Sequence, residues 1–188
     1  MKRSGAFYAG LLLAQLLLRS GTAQVIRDGD CVVDAEILSL PTCALESNNG
    51  SLYVKRKFLP LFFADKSQHL AWRSLPADGW AYFDRKGLVL VKNVATMDNG
   101  PDEIHQGLVR VTRNGKWGLA NLHGSFVVPF TYDGMLGYEP GHGWRACSGC
   151  RTVRDGEYSF FQGGTWIQLN RSGKVAGPAK EPQSPPDE

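Results

Sequence analysis

No window of the 188 residues carries the three-to-four-residue apolar stripe of a surface helix, and no apolar run reaches membrane-spanning length. The first absence leaves strands as the means of building a core. Net charge is also scarce. Lys and Arg number 21 against 18 Asp and Glu, but Lys2, Arg3 and Arg19 lie in the first 23 residues, which contain no acid; the rest balances at 18 against 18. A neutral domain has no electrostatic footprint for a polyanion, so no nucleic acid is expected as a partner. Nucleotide and metalloprotease signatures (G-x-G-x-x-G, G-x-x-x-x-G-K-[ST], H-E-x-x-H) are missing, His69, His105, His123 and His142 are scattered, and no Ser or Cys stands in a nucleophile context. The expectation is therefore no enzyme, no cofactor and no metal site. What is present, 43% hydrophobic and 11% aromatic residues, suffices for one globular core and excludes disorder for most of the chain.

The N-terminus combines a basic Met1-Lys2-Arg3, an apolar run from Ala6 to Leu18 and a small-residue exit at Gly21-Thr22-Ala23. This pattern predicts a secretory signal peptide over 1–23, cleaved after Ala23, with no membrane span afterwards and a periplasmic or secreted product. Arg19, close behind the run, is the feature that would favour an uncleaved anchor instead. An exported chain with four cysteines, Cys31, Cys43, Cys147 and Cys150, is expected to hold two disulfides. Of three possible pairings the local one, Cys31 with Cys43 and Cys147 with Cys150, is favoured. Cys147-Ser-Gly-Cys150 also has the spacing of a thiol oxidoreductase or of half a zinc site. The first would want a helix N-terminus and the second another close pair, and neither is evident.

Repetition is the most informative feature. Trp80-Ala-Tyr-Phe-Asp84-Arg-Lys-Gly87, Trp117-Gly-Leu-Ala-Asn121-Leu-His-Gly124 and Trp166-Ile-Gln-Leu-Asn170-Arg-Ser-Gly173 share W-x-x-x-[DN]-x-x-G, and each follows a turn glycine at 79, 115 or 163–164. The glycine pair supplies positive φ for a hairpin, Trp opens a short strand, and Asp or Asn then accepts backbone N–H groups in a turn closed by a left-handed Gly. Alternations such as Leu88–Val91, Leu108–Val111 and Phe126–Phe130 read as the intervening strands. The fold class expected is all-β: an antiparallel meander of about three Trp-containing hairpin repeats over 76–175. Residues 24–75, with Cys31, Cys43 and a hairpin tip at Asn49-Gly50, form an N-terminal β cap. Residues 176–188 are Pro-rich and expected to be disordered. The repeats lie 37 and then 49 residues apart, and the 12 additional residues are assigned to a Gly-rich insertion from Gly137 to Cys150.

The second repeat, Asn114-Gly-Lys-Trp-Gly-Leu-Ala-Asn-Leu-His-Gly-Ser-Phe-Val-Val-Pro-Phe-Thr-Tyr-Asp133, resembles a WG-repeat unit. That bacterial motif has a G-x-W-G start, a D/N-x-x-G turn and a V-x-P-x-x-Y-D close. The other two repeats have Trp80-Ala81 and Trp166-Ile167 in place of Trp-Gly and no Pro-Tyr-Asp ending. The resemblance implies a bacterial exported β-repeat protein of binding or scaffolding type, with no catalytic residue to carry over.

Trp80, Trp117 and Trp166, recurring in register, are assigned to core packing between repeats. Trp72 and Trp144 stand outside the register. Trp144, with Tyr138, His142 and Arg145 in the assigned insertion, is the candidate recognition surface, since aromatics and Arg on an anchored loop carry interface energy. Asp98-Asn-Gly-Pro-Asp102-Glu103 reads as a solvated turn. Asn49-Gly-Ser and Asn170-Arg-Ser fit the glycosylation sequon, although the turn position explains Asn170. The function expected is a non-enzymatic exported module that recognises a protein partner in the bacterial envelope, one version being an immunity-type inhibitor of a toxin. The alternative is a carbohydrate or peptidoglycan binder. Exposed Trp144 and Tyr138 on a flat or concave surface would favour sugar; a protruding insertion of mixed Arg and aromatic character would favour a protein.

Overall fold

A computed structural model describes residues 24–182 apart from 64, 98, 99 and 157. The expected signal peptide and the last six residues lie outside the described residues. The described chain is all-β, its sheets antiparallel. In order, the strands are β1 (Val25–Asp28), β2 (Cys31–Asp34), β3 (Leu45–Asn48), β4 (Ser51–Val54), β5 (Leu70–Leu75), β6 (Gly79–Asp84), β7 (Val89–Val94), β8 (Thr96–Met97) and β9 (Gly100–Pro101). They continue as β10 (Leu108–Arg113), β11 (Lys116–Asn121), β12 (Phe126–Tyr132), β13 (Gly134–Met135), β14 (Trp144–Ser148), β15 (Arg151–Asp155), β16 (Tyr158–Gln162), β17 (Thr165–Leu169) and β18 (Val175–Pro178). Two 3-10 turns, Thr42–Ala44 and Arg56–Leu61, are the helical content of the described residues. None is long and apolar enough to cross a membrane.

Each motif tryptophan sits on the middle strand of a three-stranded set: Trp80 on β6 between β5 and β7, Trp117 on β11 between β10 and β12, Trp166 on β17 between β14 and β18. The turns that follow are alike bond for bond. Asp84 Oδ1 accepts the N–H groups of Lys86 and Leu88, Asn121 Oδ1 those of His123 and Ser125, and Asn170 Oδ1 those of Ser172 and Lys174, all at 2.8 to 3.0 Å. In each, the closing glycine (φ +87°, +76° and +78°) donates to the carbonyl of the Asp or Asn. These glycines also abut the preceding strand set: a Cβ on Gly87 would stand 2.3 Å from the Val54 carbonyl O, and one on Gly124 2.9 Å from that of Leu90. Side chains are excluded there by space as well as by φ.

The strands do not form one continuous meander. The first two sets merge into a six-stranded sheet, ordered β12-β11-β10-β7-β6-β5, through the Val111–Val94 pairing, while the third belongs to a separate four-stranded sheet, β13-β14-β17-β18. One face of the six-stranded sheet, including Ala71, Ala81 and Phe83, packs with Val33, Leu40 and Phe58 of the N-terminal cap, where Cys31 and Cys43 are bonded with Cα atoms 5.8 Å apart. Tyr82, Val94, Val109 and Val111 form a second cluster, and Leu119, Val128, Met135, Trp144 and Leu169 join the two sheets in a third. Each fully buried large apolar side chain is worth about 1.5–3 kcal/mol in transfer free energy.

Two expectations are corrected. The additional residues of the third set are not the Gly-rich stretch 137–150: Trp144–Ser148 is the set's own first strand, and the excursion is the hairpin β15–β16, inserted between it and β17. Glycine content pointed to the connection, whereas the inserted element has ordinary strand composition. Disorder does not begin at 176 either, because Val175, Gly177 and Pro178 pair with Leu169, Gln168 and Ile167. Proline at a strand's open edge loses no ladder bond, so a Pro-rich segment can still close a sheet.

Candidate functional site

The base of the inserted hairpin is tied down at several points. Cys147 and Cys150 are bonded, Cα atoms 5.9 Å apart, across the exit from β14. Gly164 on the return passes so close that a Cβ would lie 2.5 Å from the Cys150 amide N and the Ser148 carbonyl O. Asp133 ties this base to the start of β11, accepting from the Gly149 N–H at 2.8 Å and from Lys116 Nζ at 2.5 Å. The Lys116 ammonium, then the Gly149 amide, hold its carboxyl below the ordinary 3.8.

From this base the hairpin leans over the β10–β11 face. Phe161 meets Trp117 edge to face, ring centroids 5.6 Å apart, and the space between is a cleft of about 450 Å³ walled by Met97, Trp117, Met135, Phe160 and Phe161. This volume lies within the range of small-ligand sites. At its floor is Arg110, guanidinium carbon 5.5 Å from the Trp117 ring centroid and side chain 4% exposed. Arg110 donates to Asp102 through Nε at 3.0 Å and Nη2 at 2.6 Å, and to the Met135 carbonyl at 2.8 Å. The backbone N–H of Arg110 adds a 3.1 Å bond to the same carboxylate. With its charge matched, the floor leaves the cleft an apolar, aromatic-walled slot. Behind it the Tyr82 hydroxyl donates to the Asp102 carbonyl at 2.8 Å. Burial, then the nearby Asp102 charge, pushes the phenol up to about 12.

The solvated-turn reading is corrected for Asp102, while Glu103 beside it is exposed. Asp102 is a buried ion-pair partner, 5% exposed, because β9 pairs with β8 and brings the Asp102 N–H back to the Ala95 carbonyl at 2.7 Å, beside Arg110. The sequence did hold a signal: Arg110 interrupts the apolar run Leu108-Val109-Arg110-Val111, and a charge in a strand buried on both faces requires a partner.

The four residues assigned to recognition are neighbours but not a surface. Trp144 is 1% exposed and packs with Met135 and Leu169 between the two sheets, so it is core. Tyr138 is half-buried, stacked on His105 with ring centroids 4.8 Å apart and edge-on to Trp144 at 4.9 Å. Arg145 is ion-paired with Glu139, and His142 alone is exposed. The reason is that β14 is an inner strand, paired on both edges with β13 and β17. The repeat tryptophans also divide: Trp166 is buried at 4%, whereas Trp80, edge-on to Trp72 at 5.4 Å, and Trp117 are half-buried. Trp117 belongs to the cleft wall as well as to packing. Phe160, Phe161 and Pro182, which also line the cleft, carried no expectation. A wider and more polar groove of about 740 Å³ runs past Lys92, Arg113, His123 and Phe126, with Lys92 held by Asp78 at 2.9 Å. Among the described residues no three His, Cys, Asp or Glu side chains converge as metal ligands.

Comparison of the chain with protein-family models, with curated proteins and with solved structures finds no match. The class defined by the fold is a disulfide-bonded all-β protein of antiparallel sheets, with an anchored hairpin overhanging an aromatic cleft.

Proposed function

We propose that this protein is an exported, non-enzymatic binding module of the WG-repeat type in the bacterial envelope, and that it recognises a protein partner through the β15–β16 hairpin. The observation that carries this reading is the hairpin itself. Its base is fixed by the Cys147–Cys150 disulfide, Gly164 and Asp133, while Arg151, Arg154 and Asp155 are exposed and Phe160 half-exposed along it. An element held at its root loses little conformational entropy on docking, and Arg beside aromatic side chains is the composition of interface anchors. Two disulfides suit an oxidising compartment, in keeping with the signal-like residues 1–23. An inhibitor of the immunity type would use such a hairpin as the inserted element.

The test is recovery of partners by the tagged protein from the periplasm of its native host, beside an Arg151→Ala/Arg154→Glu variant of the outer hairpin, which leaves the cleft untouched. A protein captured by the parent and lost by the variant, with both melting alike, supports the reading. Capture that survives the variant removes the hairpin from recognition. If glycan or peptidoglycan fragments are bound instead of protein, the module is a carbohydrate binder.

A further inference from the structure

The C-terminal segment after β18 crosses Trp166 and ends its described course at the wall of the cleft. Ala179 donates its N–H to the Trp166 carbonyl at 2.9 Å, and Glu181 Oε1 accepts the Gly163 N–H at 2.5 Å. Pro182 then lines the cleft with Trp117, Phe160 and Phe161, half-buried although Lys180 and Glu181 before it are exposed. The chain thus sets a proline at the wall of the aromatic cleft while a glycine N–H at the hairpin's end holds the preceding carboxylate. Proline suits such a slot because its ring is apolar, its φ is already fixed and the residue before it favours extended backbone. With Pro182 in place the cleft still encloses about 450 Å³, so its floor toward Met135 and Arg110 remains open.

We infer that the cleft between the β15–β16 hairpin and the β10–β11 face is a docking site for an extended peptide bearing an acidic residue directly before proline, and that Glu181-Pro182 is its resident competitor. This rests on the reading of the protein as a binding module and names its partner chemistry. Glu181 and Pro182 are the chain's own example of the ligand: the carboxylate at the Gly163 amide, the pyrrolidine ring at the cleft wall. A partner peptide displaces the segment and extends along the slot toward Arg110, whose pairing with Asp102 leaves it no charge to be met. Occupation by the chain's own segment sets the affinity. With an effective concentration of ~1 mM for a short tether and an intrinsic Kd of ~100 μM, the resident weakens outside binding about tenfold.

The experiment titrates the full chain with the synthetic peptide AKEPQSPPDE and with its version carrying Ala at every proline, by calorimetry. The parent is compared with a Glu181→Ala/Pro182→Gly variant that vacates the site. The expected result is peptide binding about tenfold tighter to the vacated variant than to the parent, with no binding of the alanine version. Phe161→Ala in the vacated background is expected to abolish binding. Because Phe161 also packs on Trp117, Thr152→Phe, which fills the cleft from an exposed position, gives the same test without removing a packed ring. The inference is overturned if the vacated variant binds nothing up to 1 mM peptide, if the alanine peptide binds equally, or if Thr152→Phe leaves binding intact. Should the peptide fail while the outer-hairpin variant still loses its captured partner, the cleft assignment falls and the module reading stands. Should both fail, both fall.

Discussion

Removing the Asp102 carboxylate while leaving Arg110 in place is expected to destabilise the protein more than any surface change. In the Asp102→Ala variant Arg110, 4% exposed, would lose its bonds at 2.6, 3.0 and 3.1 Å and keep the Met135 carbonyl and the thioether of Met97 as partners. A buried charge stripped of its counter-ion costs about 3–5 kcal/mol. The same figure follows from bonds to charged groups at about 1.5–3 kcal/mol each, partly offset by relaxation toward the cleft. For a chain of this size that is a fall in Tm of about 6–20 °C, from about 2–4 °C per kcal/mol. Urea unfolding followed by tryptophan fluorescence, with both disulfides intact, reads the loss as a shift in midpoint at unchanged slope. The decisive arm is the double variant Asp102→Ala/Arg110→Met, in which no charge remains to be stranded. Replacing a buried pair by apolar groups of similar volume is often close to neutral, so the double variant should regain at least about 2 kcal/mol over the single one. A loss below about 1 kcal/mol for Asp102→Ala, or a double variant no better than the single, would refute the assignment of a desolvated, interdependent pair beneath the cleft.

Three further outcomes are expected. Asp84→Asn should stay within about 0.5 kcal/mol of the parent, since Asn makes the same turn bonds at 121 and 170, whereas Asp84→Ala loses two bonds and about 1–2 kcal/mol by urea unfolding. Asp133 has a folded-state pKa below its ordinary 3.8, so its contribution is fully present above that value and is lost as pH falls through the lower folded one. The Tm difference between parent and Asp133→Asn should therefore be constant at neutral pH and shrink below pH 3.8; a gap unchanged down to pH 2 would contradict the Lys116 and Gly149 clamp. The Tyr82 phenol, raised from 10.0 to about 12, favours folding in its neutral form, and that stability is lost as pH rises between those values. Absorbance at 295 nm should show one of the six tyrosines titrating late, a step that Tyr82→Phe removes.

Local chemistry was legible in the sequence where the physics is local. The three D/N-x-x-G turns need one side-chain acceptor and one positive φ within four residues, so Asp84, Asn121 and Asn170 announce themselves, and the hydrogen bonds at each agree. The all-β class follows similarly from alternation, whereas the cysteine count left three pairings open, of which the local one that was favoured is the one formed. Pairing of distant segments was less legible. Nothing in Cys147-Ser-Gly-Cys150 says that the next twelve residues leave the sheet and return, because Arg151–Gln162 reads as an ordinary strand–turn–strand segment with its turn at Gly156. The Gly-rich stretch before it drew the insertion to itself, and with it the role given to Trp144.

The cleft illustrates why a site of this kind escapes periodicity. Its walls come from Met97 on β8, Trp117 on β11, Met135 on β13, Phe160 and Phe161 on β16 and Pro182 beyond β18, each explicable where it stands: Met135 as core, Met97 as an exposed apolar residue and the others as half-buried ones. Only the lean of one hairpin over a sheet turns them into a slot. The adjacent pair Phe160-Phe161 nevertheless carried part of the information. Neighbours on a strand point to opposite faces, so two large aromatics on a two-stranded hairpin cannot both face one packing partner. Phe161 satisfies the body by meeting Trp117. Phe160, paired with Val153 on the other face of the strand, lines the cleft as well and stays half-exposed. An aromatic pair of this kind on an anchored hairpin marks an element with one face committed to its own fold and the other available to a partner. By that argument Phe160 and Phe161 are the pair to vary first: both line the cleft, but Phe161 alone also carries the packing on Trp117, so only its loss should cost stability as well as binding.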